Sequence, residues 1–333
     1  EKIEQVWLDA KLENTYTFKL TDKPKLTNFD YESTWIKEIQ FEKTFDELLY
    51  QFNYSKDILA RQEALNELTN LGLKEATTSE TKIKIKKEFR AVISGTTYWR
   101  FRNNVMAQLR KIINAPTEAI DKETESMLLA IIKSDSSWIK ASAISFLGMS
   151  NNQKFTEIYI QALNDKSDRV VNSAAIALGK TKDAKAFNAL ERLTHRPSMK
   201  SQSLISALSG LKALGDPRAF DIAFKALSDL NLPHWRLPDY SVWDYRLFAV
   251  QTIASLGKSK EAYPMIEKRI LECLKENDIN GIFNNILIIN ALAEPKAHIV
   301  FDTLKNHYKE NTAIKTAIEQ YETQFKEATT NKQ

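Results

Sequence analysis

A short phrase recurs along the second half of this chain. Each copy has apolar residues spaced three or four apart, a leucine followed by glycine or alanine, a short polar turn, and a basic residue. The leucines of the five copies lie 31, 36, 42 and 36 residues apart, at Leu147, Leu178, Leu214, Leu256 and Leu292. A period of this size is typical of stacked helix pairs, because a single pair cannot bury its apolar side alone. The phrase therefore predicts an array of helical repeats.

The scarcity of helix-breaking residues supports this prediction. Glycine and proline each account for 8 of the 333 residues, whereas glycine alone averages about 7% in proteins. We expect a mostly α fold, a HEAT-like or armadillo-like α–α superhelix (solenoid), over residues 41–329, with residues 330–333 as a frayed tail. The net charge of +4, from 47 basic and 43 acidic residues, does not by itself indicate a polyanionic partner.

Helix ends can be predicted at several positions. Thr44, with Glu47 three residues later, fits a capping box. Asp57, Asp135 and Asp168 each precede an apolar stripe, where a carboxylate can accept hydrogen bonds from the free N–H groups of a helix start. Glycine directly after the last leucine of a repeat suits a left-handed cap residue at the helix C-terminus.

Apolar residues at every third position predict the buried side of each helix. Ile205, Leu208, Leu211 and Leu214 form one such stripe. We expect the truncation of Leu178 or Leu214 to alanine to cost about 2 to 5 kcal/mol, as for a buried large-to-small change.

The first 40 residues have a different pattern. Apolar residues alternate with other residues, which predicts two half-buried strands, at Val6, Leu8, Ala10 and Leu12 and then at Tyr16, Phe18 and Leu20. Two strands alone are marginally stable in water. We therefore expect a short N-terminal β segment, with residues 1–40 as the end of a truncated β-domain and a linker. The first residue is glutamate rather than methionine, so we expect a processed product or an excised piece.

No catalytic or metal-binding motif stands out in the sequence. The four histidines have no metal-ligand spacing, and eight scattered glycines supply no phosphate-binding loop. Cys273 lies in a helical apolar stripe, which favours a small buried hydrophobe over a nucleophile. We expect no catalytic residue, metal or cofactor within this chain. No apolar run approaches the roughly 20 residues of a membrane span, and a cytoplasmic and an exported origin both stay open.

One basic segment raises the hypothesis of nucleic-acid binding. Residues 82–111 contain nine basic residues against a single acid, Glu88, together with Tyr98 and Trp99. Such a mixture can hold a phosphate backbone. However, the segment also has an apolar side, formed by Ile85, Phe89, Val92 and Ile93. We therefore favour the interpretation that the lysines are the solvated side of an ordinary amphipathic helix.

An insertion extends one repeat to 42 residues and concentrates aromatic and basic side chains. Insertions of this kind often lie on the binding side of a repeat array, and Trp, Tyr and Arg are common interface anchors. We predict that six residues line a substrate-facing or interdomain surface: Trp235, Arg236, Tyr240, Trp243, Tyr245 and Arg246. The alternative is that the insertion closes a gap in the array or packs on a neighbouring domain.

The order of signals over residues 1 to about 70 resembles the C-terminal part of the aminopeptidase N family of zinc peptidases, the gluzincins. The residues that carry the resemblance are Phe18 at the end of the predicted strand, Lys23–Pro24, Asp30, Lys43–Thr44 with Glu47, Asp57 to Arg61, Ala64 and Leu65. In that family these signals mark the passage from a small β-domain into a helical C-terminal domain.

The resemblance implies that the chain is the non-catalytic helical part of a zinc aminopeptidase. Zinc would then belong to an upstream catalytic domain of the same polypeptide, and the helical domain would wall the catalytic cavity and help to hold peptide substrates. No residue here matches the family's zinc or catalytic motifs. Two alternatives stay open: a free-standing HEAT-like scaffold that binds a protein partner, and a nucleic-acid-binding helical repeat.

Overall fold

The computed structural model describes residues 2–30, 41–113, 120–228 and 245–330. In these ranges the regular structure is helical, with sixteen α-helices and four short 3₁₀ turns. The chain divides into two compact units, Glu1–Ser134 and Asp135–Gln333. The predicted mostly α fold is confirmed, and the helix packing fits an α solenoid.

The described residues of the first unit form five helices. They are α1 (Phe45–Tyr54), α2 (Ile58–Leu73), α3 (Ser79–Ser94), α4 (Trp99–Ile113) and α5 (Lys122–Ser134). Helices α1 and α2 pack as one pair and α3 and α4 as the next. Phe52 lies at the centre of the core, fully buried, with its ring 5.2 Å from that of Phe89 and 5.9 Å from that of Phe101, measured between centroids.

In each of these two pairs, an arginine of the second helix forms a hydrogen bond with the end of the first helix. The Nε of Arg61, in the first turn of α2, donates to the carbonyl oxygen of Phe52 near the end of α1, at 2.8 Å. The Nε of Arg102 does the same from α4 to Ile93 of α3, at 2.8 Å. Each bond satisfies a carbonyl oxygen at the end of a helix. The repetition identifies α1–α2 and α3–α4 as copies of one structural unit.

Eleven helices lie in the part of the second unit that the structure describes. They are α6 (Ser137–Leu147), α7 (Thr156–Ala162), α8 (Asp168–Lys180), α9 (Ala184–Thr194), α10 (Gln202–Leu214), α11 (Ala219–Ser228), α12 (Tyr245–Ser255), α13 (Ser259–Lys275), α14 (Ile279–Leu292), α15 (His298–His307) and α16 (Thr312–Thr330). Helices α6, α8, α10, α12, α14 and α16 pack side by side in this order and form the even layer. Helices α7, α9, α11, α13 and α15 form the odd layer.

Small residues bring two helices of the even layer into very close contact. A Cβ atom added to Gly179 of α8 would lie 2.1 Å from the carbonyl oxygen of Gly210 in α10. A Cβ atom added to Gly210 would lie 2.6 Å from the carbonyl oxygen of Ala175. Since real Cβ atoms essentially never approach a backbone oxygen so closely, only glycine fits at these two positions.

Hydrogen bonds between successive repeats satisfy the free carbonyl groups at helix C-termini. The Nζ of Lys182 donates to the carbonyl oxygens of Ala213 and Leu214 at the end of α10, at 2.5 and 2.7 Å. The hydroxyl of Ser259 donates to the carbonyl oxygen of Leu292 at the end of α14, at 2.8 Å. These bonds fix each repeat against the next.

Helices begin at all the predicted positions, but the predicted capping residues are correct only in the first unit. Thr44 and Glu47 form the predicted capping box, and the Asp57 carboxylate accepts a hydrogen bond from the Leu59 N–H at 2.9 Å. By contrast, the N-cap residue of α6 is Ser136 rather than Asp135, and Asp168 is already inside α8. In both cases a serine stands directly beside the aspartate, so the local pattern did not determine which residue begins the helix.

The glycine of the leucine–glycine phrase has two different structural roles. Gly215 and Gly257 are the predicted left-handed residues, with φ of 69° and 70°. Gly148 instead has the right-handed helical conformation, with φ of −65°, and Gly179 lies within α8. At Gly179 the sequence requires glycine for the close approach of a neighbouring helix rather than for the end of its own helix.

The predicted core is largely confirmed. Leu178 is fully buried, as are Leu147 and Leu292, and Cys273 is a buried free thiol. Leu214 is only partly buried. The expected cost of about 2 to 5 kcal/mol for a fully buried leucine therefore applies to Leu178 and overstates Leu214, which lies at the last position of α10.

The predicted N-terminal β segment is not confirmed. No residue in the range 2–30 forms a strand, and Trp7, for example, is 90% exposed. Strands need partners for their backbone groups and cover for their apolar side. The described contacts of this range include a hydrogen bond from the Tyr16 hydroxyl to the carbonyl oxygen of Trp7 and a cation–π contact of Lys25 with Tyr50 of α1.

Candidate interaction surface

The outer side of the even layer, from α6 to α12, forms a continuous polar surface that we call the even face. Its members recur every three or four residues along their helices, which places them on one side. All of them are exposed or partly exposed: Trp138, Ser142 and Ser145 of α6, Arg169, Asn172, Ser173, Ile176 and Lys180 of α8, Ser209 and Lys212 of α10, and Gln251 of α12.

Side-chain contacts join the helices across the even face. The guanidinium carbon of Arg169 lies 3.4 Å from the centroid of the Trp138 ring, a cation–π contact. The hydroxyls of Ser145 and Ser173 are hydrogen-bonded at 3.2 Å. The Nζ of Lys212 donates to the amide oxygen of Gln251 at 3.1 Å. The even face therefore has a defined arrangement of side chains before any partner binds.

The two layers of the second unit differ in charge. Helices α6, α8, α10, α12 and α14 contain one carboxylate, Asp168, and five cationic side chains, namely Lys140, Arg169, Lys180, Lys212 and Arg246. The five helices of the odd layer contain seven carboxylates and eight lysines or arginines. The last helix, α16, also carries both signs. The even face is therefore a region of positive potential between more neutral surfaces.

A loop beside the even face is held by ion pairing. Asp165 follows α7, and its carboxylate lies 3.0 Å from the Nζ of Lys140. Arg196 donates to the carbonyl oxygens of Leu163 and Asp165, at 2.6 and 3.1 Å. Partial burial opposes ionisation of Asp165, but the hydrogen bonds from the Ser167 N–H and from Lys140 outweigh it and hold the pKa of Asp165 below its ordinary value.

Part of the basic segment of the first unit stabilises the fold. Ile85, Phe89, Val92 and Ile93 are buried, which confirms the predicted apolar side of α3. Arg90 contacts the carboxylates of Asp121 and Glu123 at the start of α5. Arg102 is buried against α3, as described above. Two of the nine cations therefore stabilise helix packing.

The six residues predicted from the insertion fall mostly outside the described residues. Trp235, Arg236, Tyr240 and Trp243 lie in the range 229–244, of which the structure gives no description. Tyr245 is buried in the hydrophobic core of the second unit, and Arg246 is partly exposed in the first turn of α12. Tyr245 therefore does not line a surface, and the predicted place of the other five residues stays a prediction.

The described residues contain no cluster of three or more His, Cys, Asp or Glu side chains that could hold a metal ion. Burial raises the pKa of the Cys273 thiol, which keeps it protonated at neutral pH. In the same described part of the chain, no helix is both long enough and apolar enough to pass through a membrane.

The comparison with protein families agrees with this architecture. Residues 124–209 match the family model for HEAT repeats. The matched segment includes α6 to α9 and parts of α5 and α10. These residues form a HEAT-like helical repeat region. A search of the curated proteins found no match to this chain.

The sequence contained a signal for the even face that the repeat pattern alone did not reveal. Every second helix from α6 to α14 is rich in Ser, Ala, Asn and Gly and poor in acids. This alternation indicates a common surface only because alternate helices lie in one layer. The aromatic residues of the insertion lie close together in the sequence and form a local signal, whereas the even face combines residues up to 113 positions apart, from Trp138 to Gln251.

Proposed function

We propose that this chain is a helical-repeat scaffold that binds a protein partner, with the even face as the contact surface. The observation that carries the proposal is the even face itself, a preformed polar surface on closely packed helices. HEAT repeats form extended arrays of this kind and present them to other proteins. Binding to a preformed surface costs little ordering entropy, because its side chains are already held in place.

The composition of the even face supports a contact with protein. Trp138 is 42% exposed and is stacked with Arg169, and Trp and Arg are the residue types most often found to dominate binding energy at interfaces. The serines and Asn172 offer neutral donors and acceptors to a polypeptide backbone. The insertion residues Trp235, Arg236, Tyr240 and Trp243 remain proposed contact residues as well.

Site-specific photo-crosslinking in cells of the source organism tests this function. A photoreactive amino acid replaces Ser173 on the even face in one variant, and the exposed Lys225 of α11 in the odd layer in the matched control. We expect discrete crosslinked protein species from the Ser173 variant and none from the Lys225 variant. Absence of crosslinks at Ser173, or the same species from both positions, would contradict the proposal.

The aminopeptidase hypothesis stays a second proposal, supported by the resemblance over residues 1 to about 70. Two of the signals that carry the resemblance, the capping box at Thr44 and the N-cap at Asp57, are present, but both are general features of helix starts. On this hypothesis the partners are an upstream catalytic domain that holds zinc and a peptide substrate. A gene that encodes a His-Glu-x-x-His segment upstream would support it, and its absence from the full gene would refute it.

A chromogenic aminoacyl substrate tests whether the chain itself has peptidase activity. With zinc supplied, we expect no turnover by the purified chain, because its described residues have no metal cluster. Turnover that is lost on chelation would contradict the assignment of a non-catalytic role.

A further inference from the structure

The three cations of the even face have no acidic partner among the described residues. In the described part of the chain, no carboxylate lies within ion-pair distance of Arg169, Lys180 or Lys212, and all three are exposed. Four of the eight odd-layer cations form ion pairs in the described residues, for example Lys185 with Glu157 at 2.5 Å and Lys305 with Asp302 at 3.0 Å. The two layers differ more in their acids, because helices α6, α8, α10, α12 and α14 contain one carboxylate and the odd layer contains seven. An excess of positive over negative charge is therefore found on the helices of the even face.

We infer that the even face docks an acidic, extended segment of a partner protein, and this inference rests on the proposed scaffold function. Potentials of opposite sign across an interface determine which partner binds and in which orientation. The even face has three unpaired cations, and helices α6, α8, α10, α12 and α14 contain only one carboxylate. Such a surface favours acidic segments over cationic ones.

The spacing of the three cations predicts the spacing of the acidic residues in the bound segment. Arg169 lies in the first turn of α8 and Lys180 is its last residue, so they are about 17 Å apart along the helix axis at 1.5 Å per residue. That distance corresponds to about five residues of extended polypeptide. Lys212 lies on the neighbouring helix α10, beside the Lys180 end. The segment should therefore carry acidic residues about five positions apart, with the more acidic end near Lys180 and Lys212.

The residues between the cations suit a polypeptide backbone. Asn172, Ser173 and Ser145 are uncharged hydrogen-bonding groups in the middle of the even face. Ile176 and the exposed part of Trp138 offer apolar contact for one side chain of the segment. This combination matches an acidic stretch that also contains an apolar residue.

A nucleic acid would fit the even face less well. Binding of a single strand uses a continuous cationic groove and a series of aromatic side chains on which successive bases stack. Of the described residues, the even face has one aromatic side chain, Trp138, and Arg169 already covers one side of its ring. A polynucleotide of similar length presents a charge at every unit, whereas three cations are available.

Fluorescence anisotropy with purified full chain tests the inference. The probe is a labelled peptide of about twelve residues on a Gly/Ser background, with pairs of Glu about five positions apart and one Leu between them. We expect it to bind at least about tenfold more tightly than the same peptide with Gln in place of Glu, and to weaken as salt rises from about 50 to 150 mM. A single-stranded oligonucleotide of similar length serves as a third probe. Tighter binding of the oligonucleotide than of the Glu peptide would overturn the inference.

Two triple variants of equal charge separate the even face from net charge. Arg169→Gln, Lys180→Gln and Lys212→Gln remove the three cations of the even face. Lys225→Gln, Lys260→Gln and Lys275→Gln remove three exposed cations from the odd layer. We expect about a tenfold or greater loss of affinity for the Glu peptide in the first variant and less than about a twofold change in the second. Equal losses in both variants would overturn the inference.

Different results would contradict the scaffold function and the preference for acidic segments. If the scaffold function is wrong, the Ser173 photo-crosslink yields no protein. If only the acidic specificity is wrong, the Ser173 variant still crosslinks a protein. The yield of this crosslink is then the same when the three even-face cations are also replaced. The Glu and Gln peptides then reduce the yield equally. Circular dichroism of both triple variants should match that of the original chain, since the substituted side chains are exposed.

Discussion

The even and odd layers of the second unit share one hydrophobic core but are built from different residues. Even-layer helices carry glycine, alanine and serine where they meet, and Gly179 and Gly210 bring α8 and α10 into backbone contact. Odd-layer helices carry both signs of charge and pair some of them, as Lys268 and Arg269 do with Glu272. Close packing and a surface poor in acids thus occur on the same helices, α6 to α14 of the even layer.

The difference follows from what each layer must do. Side chains between closely spaced helices must be small, since a Cβ atom would collide with a neighbouring carbonyl oxygen. The remaining outward positions are then free to be selected for a partner. The odd-layer helices contain no glycine, and they carry the mixed surface charge that favours solubility.

The largest expected effect comes from the core that both layers share. Leu178→Ala removes a fully buried side chain of α8, and we expect a loss of about 2 to 5 kcal/mol in the free energy of unfolding. Urea denaturation followed by circular dichroism measures it. Leu214→Ala is the matched control, because Leu214 is only partly buried and should cost about 1 kcal/mol. Equal effects would show that the register of the repeats is wrong.

The close approach in the even layer gives the next effect. Gly179→Ala should cost about 2 to 3 kcal/mol, because the added methyl group would meet the backbone of α10 and force the helices apart. Gly257→Ala is the control: nothing lies within 4 Å of its added Cβ atom, but its φ is +70°, so about 1 kcal/mol of backbone strain is expected. A tolerated Gly179→Ala would mean that α8 and α10 are not in backbone contact.

These substitutions also show which parts of the fold can be predicted from the sequence. The capping box at Thr44 was predictable because both of its residues act locally. Gly179 and Gly215 follow leucine in the same phrase, but only the tertiary contact with Gly210 separates their roles. The alternation before residue 20 indicated strands, but alternation cannot supply the partner strands that a sheet needs.

The candidate surface was less predictable than the fold. Trp138 and Arg169 are 31 positions apart and meet only because α6 and α8 are neighbours in one layer. No local motif marks either residue. The aromatic residues of the insertion form a local cluster in the sequence, but their position on a surface remains a prediction for residues 229–244.

A smaller effect concerns the loop beside the even face. The pKa of Asp165 is lower in the folded state than its ordinary value, so its ionisation stabilises the fold above the unfolded pKa, and this stability is lost as the pH falls through the folded pKa. Asp165→Asn should therefore cost about 1 kcal/mol at neutral pH and flatten the decline in stability below about pH 4. Urea midpoints measured from pH 3 to 7 provide the test.

The exposed Asp221 of α11 supplies the control for that measurement. Asp221→Asn should leave the acid dependence of the urea midpoint close to that of the original chain. If the two variants gave the same pH profile, the ion pair between Asp165 and Lys140 would not stabilise the loop.

The smallest effect on stability is expected on the even face itself. Arg169→Gln removes a cation–π contact at an exposed site and should cost less than about 1 kcal/mol. This distinguishes a binding residue from a structural one, since the same substitution contributes to the loss of peptide affinity. A large loss of stability would show that Arg169 holds α6 and α8 together.

Hydroxyl-radical footprinting tests most directly whether a partner uses the even layer rather than the odd layer. The oxidation rates of Trp138 on α6 and of Ile299 on α15, both exposed, are measured with and without a saturating amount of the Glu peptide. We predict that oxidation of Trp138 falls severalfold while that of Ile299 is unchanged. Protection of Ile299 with Trp138 unaffected, or equal protection of both, would contradict the assignment of binding to the even face.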